Sequence, residues 1–165
     1  MKRIICLIFS LMLLCGCAEF NTNKDDTVNF YYCSSSGLYA PEYGIICTET
    51  VSEKNADSLE HLLDQYFSGP KQADLSAPFP ENTRLLLVLE YDNGITLVLS
   101  DHFTILSGVD RSVACACIAK TIIGISDCQA VTILAGEEND PQKVDITLPA
   151  DHLLLEDSVG TGQEG

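Results

Sequence analysis

The sequence predicts an α+β fold, with two helices packed on a mostly antiparallel sheet. Short runs rich in β-branched and aromatic residues, bounded by turn signals, indicate strands. Two other segments have helical features instead. The resulting order, β-β-α-β-β-α-β-β, places the helices among antiparallel strands. The chain of 165 residues shows no internal repeat and suits one domain of ordinary size.

The first predicted elements are two strands and an amphipathic helix. Residues 28–33 (VNFYYC) and 43–51 (YGIICTETV) are rich in aromatic and β-branched residues. The helix is predicted to have Asn55 as its N-cap and to stop at Gly69-Pro70. Its apolar residues recur at helical spacing and form one face: Ala56, Leu59, Leu62, Leu63, Tyr66 and Phe67.

The clearest local signal is a β-hairpin in residues 84–101, RLLLVLEYDNGITLVLSD. Its turn is predicted at Asn93-Gly94, because this dipeptide favours the positive φ angles of tight hairpin turns. The uninterrupted apolar run Leu85–Leu89 predicts a central strand, with one face towards the helices and the other at least partly covered.

Residues 111–125, RSVACACIAKTIIGI, predict a second helix with Asp110 as its N-cap. Only two charged residues interrupt it, so it is either covered on several sides or offers part of its surface to a partner. Because its small residues permit close packing, we predict that Ala116, Ala119 and Lys120 form an interface. The segments QAVTILAG and KVDITL are predicted to be the last two strands.

The N-terminus has the features of a lipoprotein export signal. A basic start precedes an apolar stretch of about a dozen residues, short of the roughly 20 that a membrane span needs. Leu14-Cys15-Gly16-Cys17 resembles the bacterial lipobox, which implies cleavage of residues 1–16 and acylation of Cys17. Acyl chains such as palmitate would hold the protein on the extracytoplasmic face of the cell membrane. The alternative is a plain secretory signal with an incidental Cys17.

Composition divides the rest of the chain into a polar tether (17–27), a domain (28–155) and a C-terminal tail predicted to be disordered (156–165). Removing Lys2 and Arg3 from the nine basic residues leaves seven against 24 acidic ones, a net charge of −17. Because this charge repels phosphate backbones, the sequence predicts no binding to nucleic acid.

Beyond Cys17 the chain holds an odd number of cysteines, so at least one thiol stays unpaired. Cys115 and Cys117 point in different directions on a helix and cannot jointly bind a metal, and no second cluster has zinc-site spacing. The sequence favours buried free thiols over a disulfide framework, which is the alternative. The five cysteines are Cys33, Cys47, Cys115, Cys117 and Cys128.

Ser100-Asp101-His102 contains the residue types of a hydrolase triad without its geometry. Adjacent side chains at a strand end diverge, and the sequence has no Gly-x-Ser-x-Gly elbow. We interpret Ser100 and Asp101 as turn caps, with Phe103 packed beneath the sheet.

Two acidic segments contain residue types that can bind metal ions. His152 in its acidic surroundings is interpreted as solvated, and the run at residues 136–141 (GEENDP) as a structural turn, because it lacks the alternating ligands of a calcium loop. The sequence therefore predicts no catalytic residue, no metal site and no cofactor.

The order and spacing of these segments resemble the GerM-type domain of sporulation and spore-germination proteins and other envelope lipoproteins of Gram-positive bacteria. The resemblance spans about residues 28–137 and rests on the helix end at Gly69-Pro70, Pro-x-x-Thr at 80–83, Ser-Asp-x-Phe at 100–103, and VTILAG. It implies an αββαβ core like that of ring-building motifs, with extra N- and C-terminal strands here, and a membrane-tethered role without known catalysis. This chain has one copy of the domain, where the germination protein has two.

These observations lead to two functional hypotheses. The first is a non-enzymatic, lipid-anchored interaction or assembly module of the cell envelope, linked to sporulation or germination, that contacts envelope proteins or itself. The alternative is a small-ligand-binding lipoprotein that serves a transporter or sensor. Its pocket would be lined by aromatic residues: Phe30, Tyr31, Tyr32, Tyr39 and Tyr43.

Overall fold

The computed structural model describes residues 27–35, 45–52, 58–126 and 128–153. Its two helices and two mostly antiparallel sheets confirm the α+β class. The predicted signal peptide, the acylated Cys17, nearly all of the tether and the C-terminal tail lie outside the described residues, so they stay predictions.

The first sheet is built from the N-terminal strands. Its strands are β1 (Thr27–Ser34), β2 (Ile46–Ser52) and the short β3 (Leu75–Ser76), in the order β2-β1-β3. Both pairings are antiparallel, and β3 contacts only the last two residues of β1. Within the described ranges, most of one edge of β1 therefore has no strand beside it.

The second sheet has four strands in the order β4-β5-β6-β7. β5 and β6 are parallel, and the other two pairs are antiparallel. The sequence indicated one sheet with the Leu85–Leu89 run at its centre. This placement was wrong, because among the described strands β4 pairs only with β5 and therefore forms an edge. The strands are β4 (Leu85–Tyr91), β5 (Gly94–Leu99), β6 (Ala130–Ala135) and β7 (Val144–Pro149).

The predicted hairpin is confirmed, but its turn has a different geometry. Asp92 and Asn93 form the turn, with Tyr91 opposite Gly94. Neither Asn93 nor Gly94 has a positive φ angle, so that part of the prediction was wrong. Glycine is needed for another reason, because a Cβ atom at Gly94 would lie 3.1 Å from the carbonyl oxygen of Ala130 in β6.

Helix α1 (Leu59–Phe67) packs its predicted apolar face into the core, where Leu62, Leu63 and Tyr66 are buried. Its N-cap is Ser58, whose hydroxyl accepts a hydrogen bond from the His61 N–H at 3.2 Å. The prediction of Asn55 as the cap was therefore wrong, since Ser58 satisfies the first turn. The chain leaves the helix at Ser68 and turns at Gly69, which has a φ of +91°.

Helix α2 (Gly108–Ser126) contacts both sheets, mainly through β1 and β6. It begins before Asp110, which lies in its first turn instead of capping it. The Arg111 guanidinium holds the preceding short 3-10 helix by donating to the Leu106 carbonyl at 2.7 Å and the Thr104 carbonyl at 3.2 Å. Coverage by two sheets explains why the helix carries so few polar residues.

Candidate functional site

The residues of the Ser100-Asp101-His102 pattern do not form a catalytic triad. The Ser100 hydroxyl accepts from the Arg84 N–H at 3.0 Å and donates to the Asn82 carbonyl at 3.4 Å. It therefore ties the end of β5 to the start of β4. Ser100 occupies the N-cap position of the following 3-10 helix, as predicted, but its side chain makes no cap bond there. His102 is exposed, and Phe103 is completely buried beneath the sheet, as predicted.

The acidic run is a structural turn, as predicted. Gly136 has a φ of +85°, and the Asp140 carboxylate accepts from the Gln142 N–H at 2.8 Å. His152 is exposed at the end of a short 3-10 helix. Within the described ranges, no three His, Cys, Asp or Glu side chains are grouped so that they could hold a metal ion.

The interface predicted on α2 needs a correction. Ala119 is 0% exposed and belongs to the core, so it cannot contact a partner. The prediction was wrong there because α2 is covered on the side that carries this residue. Ala116 and Lys120 are half-exposed, and the Lys120 ammonium lies 4.6 Å from the centre of the Tyr31 ring. An interface at these two residues stays a prediction.

The free edge of β1 is closed by side chains from both helices. The Tyr31 N–H donates to the Thr121 hydroxyl at 2.9 Å, and the Tyr66 hydroxyl donates to the Tyr31 carbonyl at 3.0 Å. The Tyr32 hydroxyl donates to the Tyr66 carbonyl at 3.0 Å, with the two rings stacked 5.0 Å apart. Burial raises the pKa of Tyr66 well above its usual range, so its hydroxyl keeps the proton that it donates.

The outer edge at β4 differs, because its apolar side chains face solvent. Leu86 is 61% exposed, Leu87 48%, Leu89 37% and Tyr91 63%. Leu87, Leu89 and Tyr91 lie opposite Val98, Thr96 and Gly94 of β5. Since cross-strand partners share a face, these three side chains lie on the face opposite the buried residues Ile95, Leu97 and Leu99. We call Leu86, Leu87, Leu89 and Tyr91 the β4 patch.

The face around the β4 patch is almost uncharged. It continues through Val98 to Leu134, its partner in β6. Asp145 of β7, opposite Leu134, is the first acidic residue along this row, and its carboxylate lies 3.8 Å from the Lys143 ammonium. A chain with a formal net charge of −15 thus keeps one apolar sheet face largely without carboxylates.

The aromatic pocket of the alternative hypothesis is not formed by the described residues. Phe30, Tyr31 and Tyr32 are buried, with Phe30 and Tyr32 in the core, whereas Tyr39 and Tyr43 lie outside the described ranges. A different cavity, of about 350 Å³, opens between the end of β1 and the start of α2. Its walls are mostly apolar: Cys33, Ile45, Ala77, Pro78, Phe79, Pro80, Leu106, Val109, Asp110 and Val113.

All five cysteines of the described residues are free, as predicted. Cys115 and Cys117 are buried, and the other three are half-buried. The thiols of Cys33 and Cys117 are hydrogen-bonded to each other, and this bond lowers the pKa of Cys33. Burial raises the pKa of Cys115, which faces the core away from this pair, to about 11. The sequence did not predict the pair, because the two residues are far apart along the chain.

The fold and its surface define a small α+β domain without an evident catalytic centre among the described residues. The chain belongs to the Germane family, described as sporulation and spore germination, whose family model matches residues 29–140. The predicted GerM-type resemblance is therefore confirmed. Neither helix in the described ranges is long and apolar enough to cross a membrane.

A solved structure has the same fold. The tandem GerMN domains of the sporulation protein GerM from Bacillus subtilis match with a TM-score of 0.51 and 16% identity, over 74% of this chain and 44% of that one. This chain thus spans less than half of the tandem structure. A Clostridium perfringens protein provisionally named a lipoprotein matches with a TM-score of 0.46 and 18% identity, over 76% and 87% of the two chains. No curated protein matches the chain.

Proposed function

We propose that this protein is a lipid-anchored, extracytoplasmic lipoprotein of the cell envelope whose single GerM-type domain is a non-enzymatic interaction module. The lipobox ending at Cys17 supports the anchor, and membership of the Germane family supports a link to sporulation or germination. The domain acts by contact through the β4 patch, and the acyl chains keep it at the membrane.

The observation that carries this proposal is the open apolar edge at β4. An edge strand presents a row of backbone N–H and C=O groups that can pair with another extended chain. At this edge those groups are flanked by Leu86, Leu87 and Tyr91, all about half exposed or more. Strand addition uses this combination, because the backbone supplies hydrogen bonds and alternate side chains supply apolar contacts.

The partner that fits best is a second copy of this chain. Its net negative charge opposes contact between most pairs of surfaces on two copies, but Leu87, Leu89 and Tyr91 lie on a sheet face away from Glu90, which is opposite the buried Ile95. Antiparallel pairing centred on Leu89 places Leu87 of each copy opposite Tyr91 of the other, on the same sheet face. Such a contact is isologous, as in most two-fold dimers.

Photocrosslinking of the full lipidated protein in liposomes tests this contact. A photoreactive residue at Leu89 should give a covalent dimer, whereas the same residue at Thr147, exposed on β7 at the far edge of the sheet, should not. A crosslink from Leu89 to a different envelope protein in cells, without a dimer, would overturn the second copy as partner. Equal dimer yields from both positions would overturn the β4 patch as the contact.

The anchor is tested separately from the contact. Mass spectrometry of the native protein should find an acylated N-terminal cysteine at position 17, and Cys17→Ser should release the protein from the membrane fraction. An unacylated N-terminus would contradict the anchor without affecting the β4 contact. Fractionation of sporulating and of growing cells then shows in which state the anchored protein is made.

A further inference from the structure

Cys33 and Cys117 form a pair of thiols at the wall of the cavity. The Tyr31 N–H bonds to Thr121 of α2, which sets β1 alongside this helix. Cys33 shares the cavity wall with Val113, one helical turn before Cys117, so β1 and α2 run in opposite directions. Two residues along a strand advance about 6.6 Å and four along a helix about 6 Å, which brings Cys33 beside Cys117. Their thiols are hydrogen-bonded. Cys33 also lines the cavity of about 350 Å³, whereas Cys117 is completely buried behind it.

We propose that Cys33 and Cys117 are a redox-active dithiol site that takes a small organic disulfide as its oxidant. The Cys33 thiolate attacks one sulfur of the disulfide in the cavity, which forms a mixed disulfide and releases the first thiolate. The Cys117 thiol then gives its proton to the released thiolate, attacks the Cys33 sulfur and releases the second thiolate, which takes up a proton from water. The chain loses two electrons and two protons, and the oxidant becomes two thiols.

The positions of the two cysteines indicate which thiol attacks the oxidant first and which one resolves the mixed disulfide. The attacking thiol must be accessible and ionised, and Cys33 opens to the cavity while accepting the hydrogen bond of Cys117. Cys117 meets no solvent, so it can react only with a sulfur already attached to Cys33. The mostly apolar walls, with Phe79 and Val113 among them, leave space for an aromatic or aliphatic disulfide.

A nearby third thiol is a natural control. Cys47 lies opposite Tyr32 in the β1–β2 pairing, so its side chain is on the other face of the sheet from Cys33. Burial raises the pKa of Cys47, which leaves it a poorer nucleophile. The Cys33–Cys117 site is also independent of the β4 contact, because its residues belong to β1 and α2.

Dipyridyl disulfide tests the site on purified residues 18–165 carrying Cys47→Ser and Cys128→Ser, so that the state of Cys17 does not affect the count of thiols. We expect two pyridinethiones released per chain, no pyridyl group retained, and a mass lower by two hydrogens. A peptide map should then contain the Cys33–Cys117 disulfide. With Cys117→Val, which replaces the thiol by a somewhat larger apolar side chain, one pyridinethione should be released and the pyridyl group retained on Cys33.

Two results would overturn the proposal. The first is retention of the pyridyl group on Cys33 when Cys117 is present, which would show that Cys117 does not resolve the mixed disulfide. The second is lack of reaction at Cys33 within the time in which Cys47 of the natural chain reacts. Both are read on chains that keep Cys33 and Cys117, so neither depends on whether the Cys117→Val variant folds.

Discussion

β1 and β4 both have an edge without a neighbouring described strand, but the backbone groups at the two edges are treated differently. At β1 the Tyr31 N–H donates to Thr121 and the Tyr31 carbonyl accepts from Tyr66, and both of these partners are completely buried. At β4 no described element pairs with the outer side of the strand, and leucine side chains surround it. The closed edge contributes to stability, whereas the open edge is available for association.

Removal of the Tyr66 side chain, the largest that closes the β1 edge, should reduce the stability of the fold the most. Tyr66→Ala deletes a buried ring that stacks on Tyr32 and donates to the Tyr31 carbonyl, so we expect a loss of about 3–5 kcal/mol in the free energy of unfolding. Urea unfolding measures it. Tyr91→Ala is the matched control at the open edge, and should change the free energy by no more than about 0.5 kcal/mol. Similar losses in the two variants would refute the comparison.

A smaller loss should follow when one hydrogen bond at the closed edge is removed. Thr121→Val keeps the size of the side chain but leaves the buried Tyr31 N–H without its acceptor, which costs about 1–3 kcal/mol. Thr121→Ser keeps the hydroxyl and should retain the N–H of Tyr31 in slow hydrogen exchange. If Tyr31 exchanges equally slowly in Thr121→Val, the hydroxyl does not close the edge.

A charge at the open edge should change association without changing stability. Leu89→Lys puts an ammonium where two copies would meet, so the dimer should disappear in sedimentation, while the free energy of unfolding should change by no more than about 0.5 kcal/mol. Ile105→Lys is the control, because Ile105 is exposed outside β4. Persistence of the dimer in the first variant, or its loss in both, would contradict association through β4.

The smallest expected effect is on the pH dependence of alkylation at Cys33, which lies in β1 beside the closed edge. The hydrogen bond from Cys117 lowers the pKa of Cys33, whereas burial raises that of Cys47. Because only the thiolate is alkylated, the rate at Cys33 should rise at lower pH than the rate at Cys47. Mass spectrometry after iodoacetamide pulses measures both rates. Cys117→Val should move the Cys33 profile to higher pH, and an unchanged profile would show that the bond does not stabilise the thiolate.

Local patterns predicted much of the fold, since they depend on neighbouring residues. The apolar spacing of Leu62, Leu63 and Tyr66 gave the buried face of α1, and the DNG segment gave the β4–β5 hairpin. The few charges of α2 indicated a helix covered on several sides or facing a partner. In the structure the helix is covered on several sides. Ala119 is buried there, so it cannot belong to the predicted interface.

The position of a strand in a sheet has no such local signal. A run such as Leu85–Leu89 suits a buried central strand and an apolar edge equally well, because burial depends on which element lies beside it. In the same way, Cys33 and Cys117 are neighbours only because β1 and α2 align through Tyr31 and Thr121.

The sequence by itself determined the α+β class, the main helices and strands, the GerM-type family and the predicted acylation at Cys17, because each depends on short-range order or on the succession of segments. Only the tertiary structure decided that β1 is closed, that β4 is open and that two distant thiols share a hydrogen bond. Those outcomes depend on contacts between residues far apart in the chain, which no local periodicity records.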